Sequence, residues 1–133
     1  MKEEKSMHAN TLQGAEPLAL AQRCIAVLDE KKAEDLRLLH IEEQTVLADY
    51  FIICTGTSST QLRALAAELE YRMQIAGEPP LRMEGYDEAN WIIVDFGCVI
   101  VHLFTRATRD FYGLEKLWSD ADKVDLSALL SAR

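Results

Sequence analysis

Asp95 and His102 are the only strongly polar side chains in the stretch Trp91–Phe104, which otherwise holds two apolar runs, Trp91–Val94 and Cys98–Phe104. A carboxylate and an imidazole set among apolar strands are where acid–base or metal chemistry would first be sought. A nucleotidyltransferase follows a Gly-Ser turn with two carboxylates spaced Asp-x-Asp on the next strand, which hold two metal ions for phosphoryl transfer. Here Gly97 stands where the second carboxylate should be. A single carboxylate does not hold that site, and an aspartate at a hairpin turn often serves only to accept from nearby amides. His102 has no carboxylate or cysteine at ligand or triad spacing, so it reads as a core histidine satisfied within the fold. The loop Thr55-Gly56-Thr57-Ser58-Ser59 follows an apolar run. Its amides could meet a phosphate at a helix start, but the spacing and lysine of a P-loop are missing, and a capped helix accounts for it. Ser58 and Ser59 lack a base and the G-x-S-x-G elbow of a serine nucleophile. No complete catalytic constellation is present, so the chain is expected to be no enzyme and to need no cofactor.

The elements that must position these residues follow from periodicity. The two runs around Asp95-Phe96-Gly97 are rich in β-branched residues and read as a β-hairpin. Because they are apolar at nearly every position, the hairpin is expected to be covered on both faces, by helices. Pro17 suits a first helical turn, and Leu18, Ala21, Ile25 and Leu28 form one stripe down to about Lys32. Leu36–Ile41 reads as a strand nearer an edge, and Tyr50–Cys54 as a buried one. Ser58 or Ser59 then caps a helix with Leu62, Leu65, Ala66, Leu69 and Met73 on one face and Gly77 after its end. Leu81–Glu84 is a short strand, Gly85–Ala89 a turn and Arg106–Asp110 a charged link. Phe111, Leu114 and Trp118 recur as the face of a short last helix. The class is α/β, with a mixed sheet of about five strands flanked by helices.

The 133 residues fit one domain, and 49% hydrophobic residues can build its core. No apolar run approaches the roughly 18 residues of a membrane span, and Met1–Glu16 lacks the apolar centre of a secretory signal. No membrane partner and a cytoplasmic location are therefore expected. Cys24, Cys54 and Cys98 are an odd, scattered set inside apolar segments, as reduced thiols would be, and no Cys-x-x-Cys or His-x-x-x-His pair suggests a metal. Twenty-two acidic against 14 basic residues give a net charge of −8. Such a chain is repelled by phosphate backbones, so no direct specific nucleic-acid binding is expected, and near nucleic acid it should grip a basic protein. Tyr86-Asp87-Glu88-Ala89-Asn90-Trp91 sets aromatic groups in and beside an acidic turn, a pattern of protein-binding hot spots. Trp91 fits either that role or the core. Trp118 reads as core, and Arg109 and Tyr112 as exposed. Apolar edges leave a homodimer open.

Taken together, Ala48–Ser59 (ADYFIICTGTSS), Glu84-Gly85 with Trp91–Gly97 (WIIVDFG) shortly after, Val99–Phe104 (VIVHLF) and Arg109–Trp118 (RDFYGLEKLW) resemble the ribosomal silencing factor family, also called Iojap. The resemblance runs from near Pro17 to Trp118. It leaves residues 1–16 as a disordered leader, 17–118 as the domain and 119–133 as a loosely held tail. It implies a sheet similar to nucleotidyltransferases without their catalytic carboxylate pair, in keeping with Gly97. It also implies a factor that binds the large ribosomal subunit through a basic ribosomal protein at the intersubunit face, the fourteenth of the large-subunit series. There it would block joining of the small subunit and damp translation when nutrients run short. Organellar relatives act in large-subunit assembly, an alternative role, and a nucleotide-binding nucleotidyltransferase-like protein is a further one. On this resemblance the interface candidates are Trp91 with Asp87 and Glu88, and Tyr86 beside them, followed by Arg109, Tyr112 and Glu115. Gly113 departs from the family pattern and would weaken its helix by about 1 kcal/mol.

Overall fold

In the computed structural model of the chain, residues 12–130 are described. Helix α1 spans Pro17–Glu30, β1 Glu34–His40, β2 Tyr50–Gly56 and α2 Ser59–Ile75. Then come β3 Arg82–Glu84, β4 Trp91–Asp95, β5 Val99–Thr105, α3 Arg106–Tyr112, α4 Leu114–Leu117 and β6 Asp122–Lys123. The six strands form one mixed sheet in the order β3-β4-β5-β2-β1-β6. Only β2 and β5 run parallel; the expected hairpin is the antiparallel pair β4–β5, with Trp91 opposite Phe104 and Ile93 opposite His102.

Strand side chains alternate between faces, which explains why both runs are apolar throughout. Ile92 and Val94 of β4, Val99, Val101 and Leu103 of β5, and Ile52 and Cys54 of β2 share one core with α1 and α2. The α2 stripe of Leu62, Leu65, Ala66, Leu69 and Met73 is buried as its spacing requires, and Ser58 Oγ caps the helix by accepting from Gln61 N at 3.1 Å. On the opposite face, Phe51, Ile53 and Phe104 pack with Leu39, Ile41 and Ala121. That second layer is thinner. Over β4 the expected two-sided cover fails: Trp91, Ile93 and Asp95 are only half-buried, alternating with fully buried Ile92 and Val94.

Several expectations need correction. Arg106–Asp110 is not a link but most of α3, whose one buried residue is Arg109, so no apolar period marks it. Phe111, expected to anchor the last helix, is 81% exposed. Gly113 does not weaken a continuous helix; it ends α3 in a left-handed conformation (φ 57°) and lets α4 start at a new angle. Leu18 lies outside the buried stripe of α1. β1 lies nearer an edge, as expected, with only the two-residue β6 outside it, and Val124 N donates to Leu38 O at 2.9 Å. In the segment 119–130, Ala121 and Leu126 are buried and the other residues are half-buried or exposed. At the other end, Leu12 is buried with its N–H on Ala76 O, and Gly14 N donates to Glu78. The leader expectation for residues 1–11 lies outside the described residues.

Candidate protein-docking face

The polar pair of the central hairpin is quickly accounted for. Asp95 accepts from Gly97 N at 2.7 Å through one oxygen and from Arg82 Nε at 3.1 Å through the other, the local turn role expected of it. The expected Thr55–Ser59 loop shrinks to Thr57-Ser58, since β2 runs to Gly56 and α2 starts at Ser59, and it is likewise committed. Gln61 Oε1 accepts from Thr57 N and Thr57 Oγ1, and Ser58 Oγ takes the Gln61 amide. A phosphate arriving there would have to displace both side chains. Burial pushes the Cys54 thiol up to about 12 and raises that of Cys24 further, so neither is a thiolate nucleophile near neutral pH.

Chemistry of another kind is gathered at the half-covered end of β4. The Trp91 indole packs at 4.9 Å on Phe104 and 4.8 Å on Tyr112, and Phe111 meets Tyr112 edge-on at 5.1 Å. Trp91, Phe111 and Tyr112, with Gly85, Glu88 and Asn90, line an open groove of about 600 Å³ between the β3–β4 turn and α3. Tyr112 is 56% exposed, and exposed aromatic walls of this kind are scarce on a solvated surface unless something covers them.

The acidic turn forms the groove's other wall and is held through its backbone. Arg63, from α2, donates Nε to Tyr86 O at 3.1 Å and Nη2 to Asp87 O at 2.5 Å. That leaves the exposed Asp87 and Glu88 carboxylates facing outward, where they add negative charge beside the aromatic patch. Gly85 closes the turn with φ +82°, and a Cβ placed there would stand 2.2 Å from the Trp91 carbonyl oxygen. Replacing Gly85 with alanine combines left-handed strain with a backbone clash. It is expected to cost about 3 kcal/mol, read as a drop in the midpoint of thermal or urea unfolding; an unchanged midpoint would mean the turn can relax freely.

Of the residues picked out from sequence, Trp91, Glu88 and Tyr112 line this groove, while Tyr86 and Asp87 sit on the same turn without lining it. Arg109 is not exposed as expected: it is 3% exposed and points inward. Its Nη1 donates to Thr55 Oγ1 at 2.7 Å and Asp35 O at 2.8 Å, and its Nε donates to Glu115 Oε1 at 2.8 Å. Arginine is buried there because two carboxylates neutralise it. The Arg109 hydrogen bond holds the Glu115 carboxyl below its usual range. Desolvation pushes Asp35 upward, but Arg109, Arg37 and Arg106 outweigh it and keep that carboxyl low as well. Arg109 and Glu115 thus fasten α3 and α4 to β1 and β2 and set the angle at which Tyr112 and Phe111 are presented. Phe111 and the Arg63 clamp were missed; the only sequence signal for Phe111 was an aromatic pair in a helix without an apolar stripe.

With this geometry in hand, similarity to known proteins is informative. A family profile described as "Ribosomal silencing factor during starvation" matches residues 14–133, so the shared pattern extends past Trp118 through the tail. The ribosomal silencing factor RsfS of Halalkalibacterium halodurans is 41% identical over 112 residues, covering 84% of this chain and 96% of that one. That of Bacillus subtilis is 46% identical over 101 residues, covering 76% and 86%. Mouse "Mitochondrial assembly of ribosomal large subunit protein 1" is 32% identical over 111 residues, covering 81% of this chain and 49% of that protein. Among solved structures, a Chromobacterium violaceum protein superposes with a TM-score of 0.76 at 33% identity, covering 78% of this chain and 87% of that one.

Proposed function

The chain belongs to the ribosomal silencing factor family, and from that premise we propose that it is a cytoplasmic, non-enzymatic translation repressor. In this reading it binds the large ribosomal subunit through a basic ribosomal protein at the intersubunit face, sterically blocks joining of the small subunit and so represses translation under nutrient limitation. The observation that carries it is the groove walled by Trp91, Tyr112 and Phe111 on one side and by Glu88 on the other, with the exposed Asp87 next to Glu88 on the same turn. Exclusion asks for occupied surface and affinity and for no reacting group, which suits a chain whose polar strand residues are committed to the fold. A net charge of −8 favours encounter with a basic partner, and the acidic rim sets its orientation.

Reversing the rim tests this. The double substitution Asp87→Lys, Glu88→Lys leaves the Arg63 bonds to backbone carbonyls available, so the fold should persist. Association with isolated large subunits at low salt is expected to slow by about tenfold, with a flatter salt dependence. An unchanged rate would remove the acidic turn from the docking face. The mouse relative's name favours a second reading, a large-subunit assembly factor using the same groove at an earlier stage. It differs in outcome: such a factor would ride on assembly intermediates without suppressing subunit joining.

A further inference from the structure

We propose that His102 is a positioning residue that holds the Trp91 indole in its docking orientation, an inference that rests on the docking reading above. Trp91 is half-buried, and an indole N–H in such a place needs an acceptor. It has one: Trp91 Nε1 donates to His102 Nδ1 at 3.1 Å. The two residues lie on the same face of neighbouring strands, His102 opposite Ile93 and Trp91 opposite Phe104, so the bond runs diagonally across one β4–β5 step. His102 is itself locked, with Phe51 edge-on at 4.8 Å and Phe104 nearly parallel at 6.2 Å. An indole turned about its own bonds would leave Nδ1 buried and unpaired.

The rest of the imidazole argues that this bond is the reason for a histidine here. With Nδ1 accepting, the proton sits on Nε2, and Nε2 is buried with no hydrogen-bond partner among the described residues. A residue chosen only to fill the core would be apolar at this position and would leave nothing unpaired. Burial pushes the imidazole down to about 4, so the ring stays neutral and Nδ1 stays an acceptor at any pH near neutrality. The gain is specificity of pose: the indole so held is the one that stacks on Tyr112 and forms the groove wall.

Three substitutions separate this from a packing role. His102→Leu fills the space without an acceptor. His102→Asn places an amide oxygen about where Nδ1 stands, and His102→Gln carries its amide further out. Each full-length variant is scored for melting, for solvent exchange of the Trp91 indole proton in the free protein (the signal absent from Trp91→Phe), and for affinity to isolated large subunits. His102→Leu is expected to melt no lower than the native chain, yet to exchange the indole proton faster and bind about tenfold weaker. His102→Asn is expected to restore both. Should His102→Leu fail to fold, His102→Gln decides, and it is expected to bind as a loss-of-acceptor variant. Binding by His102→Gln as tight as by His102→Asn, or by folded His102→Leu as tight as by the native chain, overturns the proposal. If Trp91→Ala binds as the native chain does, the docking face itself is wrong and His102 serves no docking. If Trp91→Ala is weak while the His102 variants are unaffected, only the role of His102 falls.

Discussion

Trp91→Ala is expected to weaken capture of isolated large ribosomal subunits by about a hundredfold, a loss of roughly 3 kcal/mol, as for a central aromatic anchor. The size follows from the geometry. Trp91 touches Phe104 and Tyr112, takes the His102 acceptor and lines the groove, so its removal takes out the wall and frees Tyr112 to move. The fold should survive, because Trp91 is half-buried and the α1–α2 core lies on the other face of the sheet. Equilibrium binding to purified subunits, with circular dichroism as the control, measures it. A folded variant with native affinity would show that the partner sits elsewhere.

Arg109→Met is expected to lower unfolding stability by about 3 kcal/mol, because removing one member of a buried ionic cluster strands the others. Left behind would be Thr55 Oγ1, the Asp35 carbonyl and the Glu115 carboxylate. Asp35 and Glu115 are partly exposed and can rehydrate, which keeps the loss near the lower end. The acid limb of stability should change as well. Both carboxyls titrate below their usual values in the folded chain, so their contribution is complete above about pH 4.5 and drains away as pH falls through the depressed values. Without Arg109 that depression weakens and the limb flattens. Urea unfolding of both proteins between pH 3 and 7 checks the size and the slope together. A native midpoint and slope in Arg109→Met would mean the guanidinium is replaceable by packing alone. Binding should fall by more than the unfolded fraction explains, since α3 loses its tie to β1 and β2.

Where apolar spacing decided an element, the sequence was readable: the β4–β5 hairpin, α2 with its Ser58 cap, and the strand read at Tyr50–Cys54, which runs on to Gly56, all follow from it. The acidic turn and Trp91 were legible as a candidate site because aromatic and charged groups together at a turn have few other uses. What stayed hidden depends on distant partners. Arg109 looks like a surface arginine until Asp35 and Thr55, far away in sequence, arrive to neutralise and bond it. α3 has no apolar stripe because an arginine is its buried residue. β6 is two residues long and owes its existence to the edge of β1.

The central claim, exclusion of the small subunit by a docked protein, is tested most directly on a density gradient. Purified protein is added in increasing amounts to isolated large subunits, small subunits follow, and the assembled particle is scored beside the Trp91→Ala control. The expected result is co-migration of the protein with the large subunit, a dose-dependent loss of the assembled peak, and neither effect with the variant. Co-migration with an undiminished assembled peak would contradict silencing by exclusion and favour the assembly role, while absence of co-migration would contradict large-subunit binding altogether.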